Sequence, residues 1–203
     1  MAMVLEPKTQ PIEGMIVVHT SPVLELDDDQ FFQLAQLNRD LRMERTAKGE
    51  LVIMPPTGWE TGDRNSEIGM QLRAWAKKIG GGRVVDSSTG YRMPNSAIRS
   101  PDASWVSQKR LEEILPQQRK KYLPLCPDFV VELKSPTDNL ADLQEKMQEW
   151  IDNGAQLAWL IEPESKRVYV YRPNANIEIL ENTNSISGEP LLENFVLDLT
   201  QIW

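Results

Sequence analysis

The chain of 203 residues has one cysteine, Cys126, and one histidine, His19. A single thiol excludes an internal disulfide, and a single imidazole leaves no His-based catalytic triad or zinc cluster to consider. Cys126 stands between Leu125 and Pro127 with no His nearby and is expected to be a small buried hydrophobe. No segment approaches the roughly 20 apolar residues that span a bilayer, and MAMVLEPKTQPIEGMIVVHT lacks a basic leader, so the expected location is cytoplasmic. A basic excess is missing too: the net charge of −8 argues against a non-specific nucleic-acid coat protein. It leaves a metal-dependent nuclease open, because such enzymes gather carboxylates around a cation and confine basic residues to one face. Repeats and low-complexity tracts are absent. What is there is an ordinary globular composition, 40% hydrophobic and 26% charged, long enough for one substantial core.

The chain reads as one α/β domain in three stretches: a helix and hairpin over about 20–55, a core over about 56–173, and edge strands over 174–203. FFQLAQLNRD places Phe31, Leu34, Ala35 and Leu37 at helical spacing after Asp residues suited to capping. Residues 41–46 and 51–54, separated by AKGE, read as a hairpin. Over 60–79, Ile68, Leu72, Trp75 and Ile79 form an apolar stripe stopped by Gly80-Gly81-Gly82, the helix most clearly marked in the chain. RVVDSS, GYRMP and ASWVS read as consecutive strands of a small sheet, followed by a helical stretch over 108–115. DFVVELK is a strand with Phe129, Val131 and Leu133 on one face and Asp128, Val130, Glu132 and Lys134 on the other. An amphipathic helix over 140–153 follows, with Leu143, Met147, Trp150 and Ile151 inward and Gly154 at its end. LAWLIE and RVYVYRP are two further strands. IEIL and FVLDL read as edge strands around a polar NTNSISGE turn.

The even-numbered face of DFVVELK carries the chemistry. Hydrolysing a phosphodiester takes a cation to offset phosphate charge, a positioned water and a basic group near that water. Glu132 and Lys134 project from one face about 7 Å apart by strand rise, which leaves room for a water between them. A second carboxylate must come from a neighbouring strand, and Ser100-Pro101-Asp102-Ala103 supplies it. Asp128 precedes Glu132 by four residues, roughly 13 Å along the strand, too far to share one small cation at about 2 Å.

SPDASWVS followed by PDFVVELKSPTDNLADLQEKMQEWIDNGAQLAWLIEP resembles the Uma-type family of restriction-endonuclease-like proteins, within the PD-(D/E)XK nuclease superfamily, over roughly 41–173. The resemblance implies a mixed central sheet flanked by helices, an Asp on one strand, Glu-x-Lys on the next, and a magnesium or manganese cofactor. It also implies an acid on the helix before the sheet, for which Glu67 is the candidate and Glu60 the alternative. Many relatives replace the Glu-x-Lys lysine and use one in the following helix; this chain has both Lys134 and Lys146. The expected protein is a metal-dependent endonuclease, with DNA as substrate and a homodimer as its assembly. In it Asp102, Glu132 and the Leu133 carbonyl bind the cation, Lys134 positions or activates water, and Glu67 assists. Two rivals stand beside it: a silent nucleic-acid-binding or regulatory protein that keeps the fold, and a hydrolase of small phosphate esters.

Plainer explanations fit several of these residues. An i, i+4 surface pair accounts for Asp142 and Lys146, and Gln144 either faces solvent or joins the cleft. Trp75, Trp105, Trp150 and Trp159 fall on apolar stripes or strands and read as core, whereas Trp59 sits in a Pro/Gly loop. Arg119-Lys120-Lys121 reads as a solvated loop.

Overall fold

The computed structural model describes residues 15–79 and 81–203, so the extreme N-terminus and Gly80 of the triple glycine lie outside the described residues. Thirteen strands and four α-helices are present among them. In chain order they are β1 (Ile16–Val18), α1 (Asp28–Leu37), β2 (Arg42–Arg45), β3 (Leu51–Met54), α2 (Trp59–Ile79), β4 (Gly82–Val85), β5 (Tyr91–Arg92), β6 (Ile98–Arg99), β7 (Ala103–Ser107), α3 (Gln108–Glu112), β8 (Phe129–Leu133), α4 (Leu140–Asp152), β9 (Leu157–Glu162), β10 (Arg167–Tyr171), β11 (Glu178–Glu181), β12 (Ser185–Ser187) and β13 (Val196–Asp198).

Local chemistry explains where the helices begin and end. Asp27 accepts a hydrogen bond from the Gln30 amide while the Gln30 side chain accepts one from the Asp27 amide, so the cap of α1 satisfies two otherwise orphaned donors. Phe31 is its buried anchor; Leu37, expected on the same stripe, is exposed in the last turn. Asn139 caps α4 through the Ala141 amide, and Gly154 follows that helix at φ +114°, a left-handed position that suits glycine. In α2, Ile68, Leu72 and Ala76 are buried, while the expected Ile79 is exposed at the helix end.

Six strands form the main sheet in the order β11-β10-β9-β8-β7-β4. Only β8 and β9 run parallel there, joined by α4 as a crossover; the other neighbours are antiparallel. β8 is buried on both faces, as a strand between two helices must be. Phe129, Val131 and Leu133 join the core shared with Ile68 and Leu72 of α2, and Val130 joins the one shared with Met147 and Trp150 of α4. The two-face reading of DFVVELK therefore describes the observed strand.

A second sheet has the order β1-β3-β2-β6-β5. This corrects the expectation that three consecutive strands build one small sheet. β4 and β7 pair in the main sheet, whereas β5 and β6 cross over to β2, with Arg45 opposite Ile98. Short runs broken by Gly90 and Pro94 carry no register information, so periodicity leaves their partners open. NTNSISGE likewise contains β12, paired with β13 in a ribbon whose Ile186 and Leu197 close the α2-side core.

Cys126 is buried, with Sγ 3.4 Å from the Trp150 carbonyl. Trp105, Trp150 and Trp159 are core, Trp75 packs at its margin, and Trp59 is 82% exposed. No helix among the described residues is long and apolar enough to cross a membrane.

Candidate active site

The two sheets meet at the start of β7. Asp102 lies immediately before β7, and its Oδ2 accepts a hydrogen bond from the Leu133 amide at 2.9 Å. That bond ties it to the end of β8, one residue from Glu132. Asn65 of α2 donates to the Asp102 Oδ1 at 3.2 Å, and Arg42 Nη2 of β2 lies 3.6 Å from the same oxygen. Three elements remote in sequence thus converge on one carboxylate.

Glu132 is 3% exposed. Its Oε1 accepts from Trp150 Nε1 at 3.0 Å and pairs with Lys146 Nζ at 2.9 Å. Its Oε2 takes no hydrogen bond among the described residues and is not among their buried atoms without partners. Burial pushes the Glu132 carboxyl up to about 7; Asp102 and Glu44 push the same way and Lys146 pulls against them.

Lys146 is the residue the sequence reading set aside. Its expected surface pair with Asp142 gives way to a buried position between two carboxylates, Glu132 at 2.9 Å and Glu44 at 3.1 Å. Burial alone would lower its basicity, but those two carboxylates raise it, so the ammonium stays charged. Glu44 of β2 is 2% exposed and also accepts from the Ser100 amide at 2.9 Å and from Arg99 at 3.1 Å. Burial works to raise its carboxyl, yet Lys146, Arg99 and the Ser100 amide hold it below the usual range. Arg99 in turn grips Glu149 of α4 at 2.7 Å. Glu44 escaped sequence reading because RMER looks like any half-exposed strand. Its one signal, an acid opposite the buried Val52 of β3, lies within the expected hairpin, and that this acid faces Lys146 and Arg99 appears only in the fold.

The other candidates make different contacts. Lys134 is half-buried, with Nζ 3.3 Å from the adjoining Ser135 carbonyl. Glu67 accepts from Gln71 at 2.8 Å, and Gln71 also pairs with the backbone of Asp198, so Glu67 sits toward the C-terminal ribbon. Glu60 is an exposed partner of Arg64. Asp128 is held by Arg110 and the Ser107 amide, at the opposite end of β8 from Glu132. Arg119 binds the carbonyls of Leu111 and Ile114, and Lys121 pairs with Asp29. His19 pairs with Glu50 at the surface.

A mixed sheet between helices, with an acid at the mouth of one strand, a buried acid on the neighbouring strand and a lysine on the helix after it, defines a restriction-endonuclease-like protein. The chain belongs to the Uma2 family, described as "putative restriction endonuclease", whose model matches residues 28–200. Among solved structures it is similar to a "putative nuclease belonging to DUF820" from Anabaena variabilis ATCC 29413. That match has a TM-score of 0.68 at 19% identity and covers 82% of this chain and 90% of that one, a likeness of fold. No curated protein matches.

Proposed function

We propose that this chain is a metal-dependent endonuclease that hydrolyses phosphodiester bonds, with DNA as its substrate, on a single catalytic domain. The observation that carries the reading is the convergence of Asp102, Glu132 and Lys146, from the loop before β7, from β8 and from α4.

No group of three or more acidic, His or Cys ligands exists among the described residues, so a cation here rests on two carboxylates plus backbone. The charges still fit one. Around the site Glu44, Asp102, Glu132 and Glu149 face Arg42, Arg99 and Lys146, and a cation beside Glu132 would favour its charged form. Asn65 Oδ1, beside Asp102, is a buried acceptor without a partner, as a hard cation or its water would require. Asp102, Glu132 and the Leu133 carbonyl would hold Mg2+ or Mn2+, which when bound supplies charge neutralisation at the phosphate and a more acidic water.

The protein's own groups do the rest. The Leu133 amide and Asn65 fix the Asp102 carboxylate. Trp150 and Lys146 fix Oε1 of Glu132 and leave Oε2 turned to a ligand. Lys146, held charged by two carboxylates, acts as a hydrogen-bond donor to water or phosphate and not as a free base. In this reading Lys134 stands at the rim and Glu67 outside the set. Cutting both strands of a duplex in one encounter requires two such sites, so the proposed assembly is a homodimer.

Cleavage of supercoiled plasmid with Mg2+ or Mn2+ tests this, comparing the native chain with Asp102→Ala, Lys146→Met and Lys134→Ala. Cutting that needs metal, disappears in the first two variants and largely survives in the third is the expected result. Absence of metal-dependent cutting, or equal cutting by Asp102→Ala, refutes the site; loss on Lys134→Ala alone returns the lysine role to Lys134.

A further inference from the structure

Among the described residues, Arg42 is a cation of the site that its protein partners leave unsatisfied. Arg45 is saturated by Asp28 and the carbonyls of Leu26 and Ser96, and Arg99 by Glu44 and Glu149. Arg42 differs. Its guanidinium donates to the Ser100 carbonyl at 3.1 Å, but its contact with Asp102 Oδ1, at 3.6 Å, is beyond hydrogen-bond range. Its Nε is buried without any partner, while the side chain as a whole is 32% exposed. A donor closed off from water and facing no acceptor is costly unless something fills the position.

We infer that Arg42 binds a non-bridging oxygen of the substrate phosphate at the Asp102 site. This rests on the reading of the site as a metal-dependent phosphodiesterase, and it adds the residue that would recognise the anion. Once Asp102 is shared with a cation, its hold on Arg42 weakens further. The guanidinium's Nη1, which has no acceptor among the described residues and is not one of their buried atoms, then presents charged N–H donors to a phosphate oxygen. The occupant is an anion with oxygens about 3 Å from those donors, next to the carboxylates that position the attack.

The experiment pairs binding with turnover in the native chain, Arg42→Ala and Arg42→Lys. Binding of a fluorescein-labelled DNA duplex is followed by anisotropy in Ca2+ over about 50–200 mM salt, and plasmid cleavage is followed in Mn2+. Arg42→Ala is expected to bind more weakly and to lose about one unit of the log–log salt slope. Its kcat should fall about a hundredfold. Arg42→Lys, which keeps the charge but not the fork, should hold the slope near the native value while kcat stays depressed. If Arg42→Ala does not fold by far-ultraviolet circular dichroism, the lysine variant decides: native kcat there overturns the inference. A native chain that binds and cuts while Arg42→Ala keeps both slope and kcat overturns the Arg42 assignment alone. A native chain that neither binds nor cuts brings down the phosphodiesterase reading, and this inference with it.

Discussion

At the residue scale, burial decides what the ionisable groups do. Cys126 shows it most simply. Its thiol is pushed up to about 12, mainly by burial, with nearby Arg110 acting weakly the other way. A neutral thiol at ordinary pH is a poor nucleophile, so an aromatic disulfide reagent at pH 8 should label Cys126 only as fast as the protein unfolds. Labelling of native protein within the mixing time would contradict its burial. The sign of the stability effect follows. The folded state holds the thiol proton more tightly than the unfolded chain, whose value is near 9. That contribution is intact below about pH 9 and is lost as pH rises toward 12. Buried Tyr91, hydrogen-bonded to Ser104, is raised as well, again mainly by burial, and adds to the loss at the alkaline end. Cys126→Ala should therefore flatten the fall in melting temperature between pH 9 and 11.

At the element scale, glycine separates close approach from slack. A Cβ on Gly82 of β4 would lie 2.2 Å from the Val106 carbonyl and 2.6 Å from the Trp105 indole nitrogen, inside the β4–β7 ladder. Gly69, within α2, has nothing within 4 Å. Gly82→Ala should cost about 1–3 kcal/mol by forcing the edge strand away. Gly69→Ala should gain about 0.5–1 kcal/mol by restricting the unfolded chain and favouring helix. Urea denaturation of both variants measures this; a neutral Gly82→Ala would mean that β4 is free to shift. The same contrast explains how much could be read from sequence. α2, α4 and the β8-α4-β9 unit announced themselves, since each has a period and a terminator within a short window. The pairing of β6 with β2, and of β5 with β6, did not, because two-residue strands have no period to read. Glu132 lies on a strand, and Asp102 immediately before one, that a linear pattern marks. Glu44 and Arg42 come from the sheet whose docking the pattern left open, which is why half of the site stayed hidden. Lys146 was visible but ambiguous: its spacing from Asp142 suits a surface pair, and only the inward turn of α4 around Trp150 decides against it.

At the scale of the whole molecule, net charge and local charge tell different stories. The chain carries −8 overall, yet at the proposed centre carboxylates and cations are nearly matched, in a buried cluster where screening is weak. A divalent cation should therefore bind by local need and not through the general field, and binding to the folded state alone must stabilise it. At a hundred times its dissociation constant the gain is about 2.7 kcal/mol. For a chain of this size that corresponds to a rise in melting temperature of about 5–10 °C. Differential scanning fluorimetry with Mn2+, Mg2+ and excess chelator measures it at constant ionic strength, so that screening of the acidic surface does not contribute. The native chain should show a saturable rise that chelator abolishes. Asp102→Asn should show little or none, because it removes a ligand charge while keeping the shape that the Leu133 amide and Asn65 hold. Glu67→Gln should match the native chain, since Glu67 faces Gln71 and the C-terminal ribbon. An equal rise in native protein and Asp102→Asn would place the cation elsewhere on the acidic surface. Loss of the rise in Glu67→Gln would bring the first half of α2 into the site and require that helix to turn on metal binding.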